Sequence, residues 1–294
     1  MIYNYNLSVF YNENCISYYL LGAFITDGCV YQNNKNTYAC QLSSCDLDWL
    51  ESIKNIVGTN LKIHKFTQNY YGLRIIRHEI ASWLISHGCY PRKTYSIVLP
   101  NIPDQYFRDF LRGCIDGDGS IGIYPNKNNI KRSCQLISAS KIFLEQIQNK
   151  LKLLNIKATI TNRGKQTCFL KDRLIKATVD SYSLNFYGQN CYKFLKYIYY
   201  DTNQIALNRK KQLAIQIINY YNSLPNMDLR KNRKLNVGCK INWLEDNELI
   251  DLIRKSNVEQ VAKVIGVSGS AIRKRLKRRN LYEIVQNFKK ITEK

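Results

Sequence analysis

The sequence predicts an α+β protein: two copies of one helix–hairpin–helix–hairpin–helix unit, followed by a small all-α module. Three observations carry this. The stretch Leu20-Leu21-Gly22-Ala23-Phe24-Ile25-Thr26-Asp27-Gly28 returns as Leu111-Arg112-Gly113-Cys114-Ile115-Asp116-Gly117-Asp118-Gly119. Each is an apolar helical run with a glycine in its middle, ending in an acid and a second glycine. The flanks return too: Ala39-Cys40-Gln41-Leu42-Ser43-Ser44, then Leu50-Glu51-Ser52-Ile53, is answered by Ser133-Cys134-Gln135-Leu136-Ile137-Ser138, then Leu144-Glu145-Gln146-Ile147. Internal duplication is therefore a property of the sequence itself. From Trp243 onward the apolar residues follow helical spacing and the remaining positions are strongly basic.

The elements follow in order. Residues 1 to 13 are polar and aromatic without a clear period and read as a short arm. A helix from Asn14 runs into the first motif and stops at Gly28, as glycine past a helix end usually does. Cys29–Gln32 and Tyr38–Ser43 form a hairpin. Asp46 is expected to cap a helix whose apolar face is Leu47, Leu50, Ile53 and Val57. A second hairpin, Leu61–Phe66 with Tyr71–Ile76, precedes a helix near Glu79–His87. The order repeats from Tyr106, with a helix starting near Ser140, unplaced extra residues around Thr167–Val179, and final helices at Cys191–Tyr199 and Asn208–Tyr221. These readings divide the chain into a first repeat (1–100), a second repeat (101–224), a basic linker (225–241) that suits a phosphate backbone, and a terminal module (242–294).

In the terminal module Asn257 and Ser268 cap the second and third helices. Ala262, Gly266 and Val267 stand where a helix-turn-helix needs a small residue, a turn glycine and an apolar plug. Ile272 and Leu276 face inward, while Arg273, Lys274, Arg275, Lys277, Arg278 and Arg279 lie largely outside.

Composition narrows the partners. The 294 residues carry a formal charge of +22 and are 45% hydrophobic, so the chain is globular and presents a polyanion-binding surface. Nucleic acid is the leading partner. No run of apolar residues is long enough to span a membrane and no leader pattern opens the chain, so the expected place is inside a cell, in a bacterial or phage-infected cytoplasm or an organelle. The 10 cysteines are scattered without CxxC, and the 3 histidines do not fall at zinc spacing. They read as reduced, mostly buried thiols.

The two motifs resemble those of the LAGLIDADG homing endonuclease family over roughly residues 15 to 220. The second copy departs only at Arg112 and Cys114, with Gly117 a conservative change; the first has Ile25 where the pattern places its first acid. The resemblance implies a monomeric, two-motif enzyme. Its pseudosymmetric αββαββα halves would form a DNA-binding saddle, with the motif helices as their interface and one minor-groove phosphodiester hydrolysed on each strand. Cutting a phosphodiester needs an activated water and a counter-charge, which divalent ions held by carboxylates supply. Gly22 and Gly113 would let the motif helices approach along their backbones and deliver Asp27 and Asp118 side by side. Two adjacent carboxylates repel unless cations intervene, so magnesium is expected there, as two or three ions with manganese as a substitute. The expected metal set is Asp27 and Asp118, with Gly28 and Gly119 beside them.

By the same resemblance, Ser44 and Ser138 occupy the place of a water-ordering residue that is more often glutamine. Lys93 and Lys210 are the basic residues brought to the site, or else ordinary surface lysines. Gln41 and Gln135 suit adenine edges or are merely solvated. Lys35, Arg74, Lys131 and Arg163 are phosphate contacts or plain surface charge. Ser270, Arg273, Lys274 and Lys277 are the expected DNA-facing residues of the terminal module. Two other functions fit this fold: a transcriptional regulator, and an intron-encoded maturase that binds intron RNA. No protein partner is required by either repeat.

Overall fold

The computed structural model describes residues 4–33, 37–58, 60–126, 129–170, 173–201, 203–224, 243–283 and 285. The chain divides into two compact units, Met1–Leu224 and Pro225–Lys294. Lys35 and the expected linker at 225–241 lie outside the described residues.

The first unit opens with a short helix, α1 (Ser8–Tyr11), whose Val9 and Phe10 are buried. The stretch read as a short arm thus contains a helical turn that anchors in the core. Phe10 packs edge-on against Trp83 with ring centroids 5.6 Å apart, and the Asn6 amide donates to the Val57 carbonyl. Residues without a helical or strand period still anchor when two apolar side chains reach the core. Helix α2 (Cys15–Thr26) starts where the Asn14 side chain accepts from the Ile16 and Ser17 amides, a full capping box with Ser17. Every residue from Ser17 to Ile25 is buried, because this helix is surrounded by protein on all sides.

Strands β1 (Gly28–Gln32), β2 (Tyr38–Ser44), β3 (Ile63–Thr67) and β4 (Tyr70–Ile75) form an antiparallel sheet in the order β1-β2-β4-β3. Helices α3 (Leu47–Val57) and α4 (His78–Ser86) pack against it. Alternation puts Cys40 and Leu42 into the core and leaves Gln41 and Ser43 half-buried toward the other face.

The second repeat rebuilds this layout. Helix α5 (Phe107–Asp116) leads into β5 (Gly119–Asn126) and β6 (Asn129–Ser138), then α6 (Lys141–Leu153) and β7 (Thr159–Gly164). The unplaced segment is a two-stranded hairpin, β8 (Thr167–Leu170) with β9 (Arg173–Lys176), inserted before β10 (Ser181–Tyr187). The sheet order β5-β6-β10-β7 is that of the first repeat, with the hairpin as a separate two-stranded sheet. Even the register repeats: Gly28 pairs with Leu42, and Gly119 with Leu136. Helices α7 (Gly188–Ile198) and α8 (Asn208–Ser223) close the unit.

The second unit holds α9 (Asp246–Lys255), α10 (Val258–Ile265) and α11 (Gly269–Arg278) around a core of Leu249, Ile253, Val261, Ala262, Ile272 and Leu276. The Asn257 side chain accepts from the Gln260 amide and that of Ser268 from the Ala271 amide, so both expected caps are present. Gly266 takes the left-handed turn at φ 73°. One expectation changes: Arg275 is not outside. It donates to Asp246 at 2.7 Å and to the Leu244 carbonyl at 3.2 Å, with its guanidinium 4.8 Å from the centre of the Trp243 ring. Among the described residues, no helix is long and apolar enough to cross a membrane.

Candidate active site at the paired helix ends

Helices α2 and α5 touch backbone to backbone. A Cβ at Gly22 would collide with the Phe110 carbonyl oxygen, and one at Gly113 with the Tyr19 carbonyl oxygen. Only glycine allows this approach from both sides. Gly117 continues the contact to the helix ends, where a Cβ would strike the Thr26 hydroxyl. The acids that follow, Asp27 and Asp118, therefore arrive together, with their carboxyl groups in hydrogen-bond reach of each other.

Their electrostatics follow from that crowding. Asp27 is half-buried and its carboxyl is pushed up to about 7, first by burial and then by the Asp118 charge, with Lys210 pulling the other way. Asp118 is exposed by residue area, yet the surrounding protein still desolvates its carboxyl. Burial raises its carboxyl too, against the pull of Lys210 and then Lys93. Two like charges this close share protons unless a cation intervenes.

Both lysines are buried at the site. Lys93 donates to the Gly28 carbonyl at 2.6 Å. Lys210 donates to the carbonyls of Ile115, Asp116 and Gly117 at 2.8, 2.7 and 2.9 Å. An ammonium has three protons, so these bonds use its full donor capacity, and Lys210 caps the end of α5. Burial lowers its pKa, and the Asp116 carboxylate opposes that shift.

Ser44 and Ser138 occupy equivalent turns. Their hydroxyls accept from the Asp46 and Ser140 amides, each at 3.1 Å, so both shape the entry to the following helix. On the sheet faces, Gln41 donates to the Ser43 hydroxyl and Gln135 to the Ser120 hydroxyl, each at 3.0 Å. Arg74 is the exposed cross-strand partner of Gln41. Lys131 stands 4.9 Å from the centre of the Tyr187 ring, and Arg163 sits at the β7 irregularity opposite Ser181 and Tyr182. These residues lie on the two sheets, apart from the carboxylate pair in sequence and element.

Asp46 departs from its expected role. It sits at the start of α3 without a side-chain cap bond, and its carboxylate instead takes both Arg209 nitrogens, at 2.7 and 2.9 Å. A bidentate guanidinium is the stronger partner. Asp116 was not singled out from the sequence as a site residue either. It is buried and accepts from the Tyr19 hydroxyl at 2.8 Å, the Tyr199 hydroxyl at 2.8 Å and the Leu207 amide at 2.9 Å. Its signal was present: a carboxylate inside an apolar helix, at the position where the first copy has Ile25.

No curated protein matches the chain. Solved structures that resemble it include the meganuclease I-SmaMI bound to uncleaveable DNA (14% identity, 76% of this chain and 98% of that one, TM-score 0.48). The LAGLIDADG meganuclease I-AabMI bound to uncleaved DNA is a second (14%, 78% and 100%, TM-score 0.47), and the LAGLIDADG homing endonuclease I-GzeII in complex with its DNA target a third (10%, 72% and 94%, TM-score 0.43). Residues 106–199, which contain the whole α5 motif with Asp116 and Asp118 and run to the end of α7, match the LAGLIDADG-like domain.

Proposed function

We propose that the chain is a monomeric, divalent-metal-dependent homing endonuclease that cuts both strands of a DNA duplex. One observation carries the reading: two carboxylates, one from each repeat, converge at the ends of glycine-packed helices between two buried lysines. Both halves of such a site lie in one chain, which is why a monomer suffices.

The donor set fits a hard divalent cation. Asp27 and Asp118 supply two oxygen ligands whose mutual repulsion a cation would relieve, and magnesium readily keeps water and phosphate oxygens for its other positions. Manganese would substitute, and two or three ions per site are proposed. Asp27 and Asp118 would hold the metal. Gly28 and Gly119 bring the chain round tightly behind them, and the Gly28 carbonyl already accepts from Lys93. Bound there, such ions would activate water and neutralise charge on the scissile phosphates. Lys93 and Lys210 add positive charge beside the pair, and Ser44 and Ser138 hold the turns behind it. Gln41, Arg74, Lys131, Gln135 and Arg163 are proposed to face the DNA from the two sheets, with Lys35 as a phosphate contact.

The second unit supports a helix-turn-helix reading, with α11 presenting Ser270, Arg273, Lys274 and Lys277 to a neighbouring major groove. Arg273 is engaged with Glu259 at 2.7 Å, but both side chains are exposed, so DNA phosphate can compete for it. Footprinting the full chain against residues 1–224 tests this: a second protected patch should vanish on truncation, and affinity should fall by about ten- to a thousand-fold.

Incubation with a library of duplexes and magnesium, followed by sequencing of cut ends, tests the main reading. A single recurrent site cut on both strands is expected. Tight duplex binding without cutting would favour a regulator of this fold, and preference for structured intron RNA would favour a maturase.

A further inference from the structure

The two lysines are held in different ways. Each lies in a segment pinned by the opposite repeat. Beyond Lys93, the Ile97 carbonyl accepts from the Ser140 hydroxyl at 2.6 Å, at the start of α6. Beside Lys210, Arg209 is clamped by Asp46 at the start of α3, and Asn208 donates to Asp48 on α3 at 2.9 Å. The serine contact is neutral; the aspartate contact is charged and bidentate. The first segment's further tie is again neutral, the Leu99 amide donating to the Gln146 side chain at 2.7 Å, whereas the second is also tied to a buried carboxylate of its own motif helix. Asp116 takes the Leu207 amide immediately before α8, and its own backbone carbonyl takes the Lys210 ammonium. Tyr19, which donates to Asp116, accepts from the Trp49 indole at 2.7 Å, so the anchor is also braced from α3. At the equivalent place in α2, Ile25 can make no such bond.

Building on the endonuclease reading, we propose that Asp116 and the Asp46–Arg209 clamp are positioning residues. They fix Lys210 beside the carboxylate pair before DNA arrives, so that the two strand cuts depend unequally on this network. Neither Asp116 nor Asp46 needs to touch substrate. Asp116 acts through the Leu207 amide and the first turn of α8; Asp46 acts through the residue next to Lys210. A side chain whose placement is set by three carbonyls loses its geometry when the turn carrying it shifts, and displacements near 1 Å can cost about 10²-fold in rate.

The test uses the duplex that the wild-type chain cuts with magnesium, labelled separately on each strand, with enzyme in excess so that rates report chemistry and not affinity. Lys93→Met and Lys210→Met first assign each strand to its lysine. Asp116→Asn should then slow the Lys210 strand by about 10- to 100-fold and the other by less than about two-fold. Arg209→Ala alters an exposed side chain and is expected to fold; it should slow the same strand by a smaller factor. A merely structural loss would slow both strands alike and lower the melting temperature. Equal slowing of both strands in Arg209→Ala and Asp116→Asn, or slowing of the Lys93 strand, overturns the inference while leaving the endonuclease reading intact. If the wild-type chain binds duplex but cuts neither strand, both fall together.

Discussion

Helices α2 and α5 occupy equivalent places, share the glycine contact and end in equivalent acids, yet their surroundings differ. Helix α2 is apolar from Tyr18 to Ile25. Helix α5 carries Asp109, Arg112 and Asp116, all buried, where α2 has Tyr18, Leu21 and Ile25. The polar set has a local cause: Arg112 donates to the carbonyls of Ile198 and Ile205, Tyr200 donates to Asp109, and Asp116 accepts from Leu207. These partners run from the last residue of α7 through the connector to α8. The peptide groups that this stretch turns inward against α5 need partners, and α5 supplies them. The shared backbone geometry thus follows the duplication, whereas the buried charges follow one repeat's unique connection.

Making α5 resemble α2 should break that arrangement. Arg112→Leu copies Leu21 but strands Asp109, which pairs with it at 2.8 Å, and should cost about 3–5 kcal/mol. Chemical denaturation measures this, and the double variant Asp109→Leu, Arg112→Leu should recover part of the loss. The reciprocal change, Leu21→Arg, places an unpaired charge in a fully apolar setting and should prevent stable folding, read by circular dichroism.

The acids test the symmetric part of the comparison. Asp27→Asn and Asp118→Asn should each lower double-strand cleavage by about 10²–10³-fold, comparable to removing one preorganised charge-stabilising group. DNA affinity in a gel-shift assay should stay within a few-fold. If either variant linearises a target plasmid at the wild-type rate, the paired-acid site is wrong. Unequal residual nicking would sharpen the asymmetry drawn from Lys93 and Lys210.

Gly22→Ala and Gly113→Ala test the shared contact. Each places a methyl group against the opposite helix's backbone and should destabilise by about 1–3 kcal/mol or more. The two losses should be similar, since the contact is reciprocal; a large difference in denaturation midpoint would show that one helix yields and the other does not.

A further effect, outside the mutational series, concerns protons. The Asp27 carboxyl sits at about 7 in the folded chain, against roughly 4 for an unfolded aspartate. The folded state therefore binds the proton more tightly, and metal-free stability should decline as pH rises from about 4 through about 7. Melting scans across that range should show the decline, and Asp27→Asn should remove its share. Added magnesium should oppose it, because the cation replaces the proton between the two acids.

What the sequence determined by itself rests on short-range chemistry. The helix–hairpin order, the helix starts at Asn14 and near Ser140, the caps at Asn257 and Ser268, the inward Ile272 and Leu276, and the acids at both motif ends were all legible from period, spacing and repetition. Each depends on neighbours a few residues away. Other features were decided only in three dimensions. The role of Asp46 passed from helix cap to partner of Arg209, across 163 positions of chain. Phe10 found Trp83, Arg275 turned inward to Asp246, and Lys210 placed its protons on three carbonyls of α5. In each case a long or charged side chain had several partners of similar local merit. Which one it takes depends on what the folded backbone brings within hydrogen-bond distance and shields from water, and no local preference encodes that.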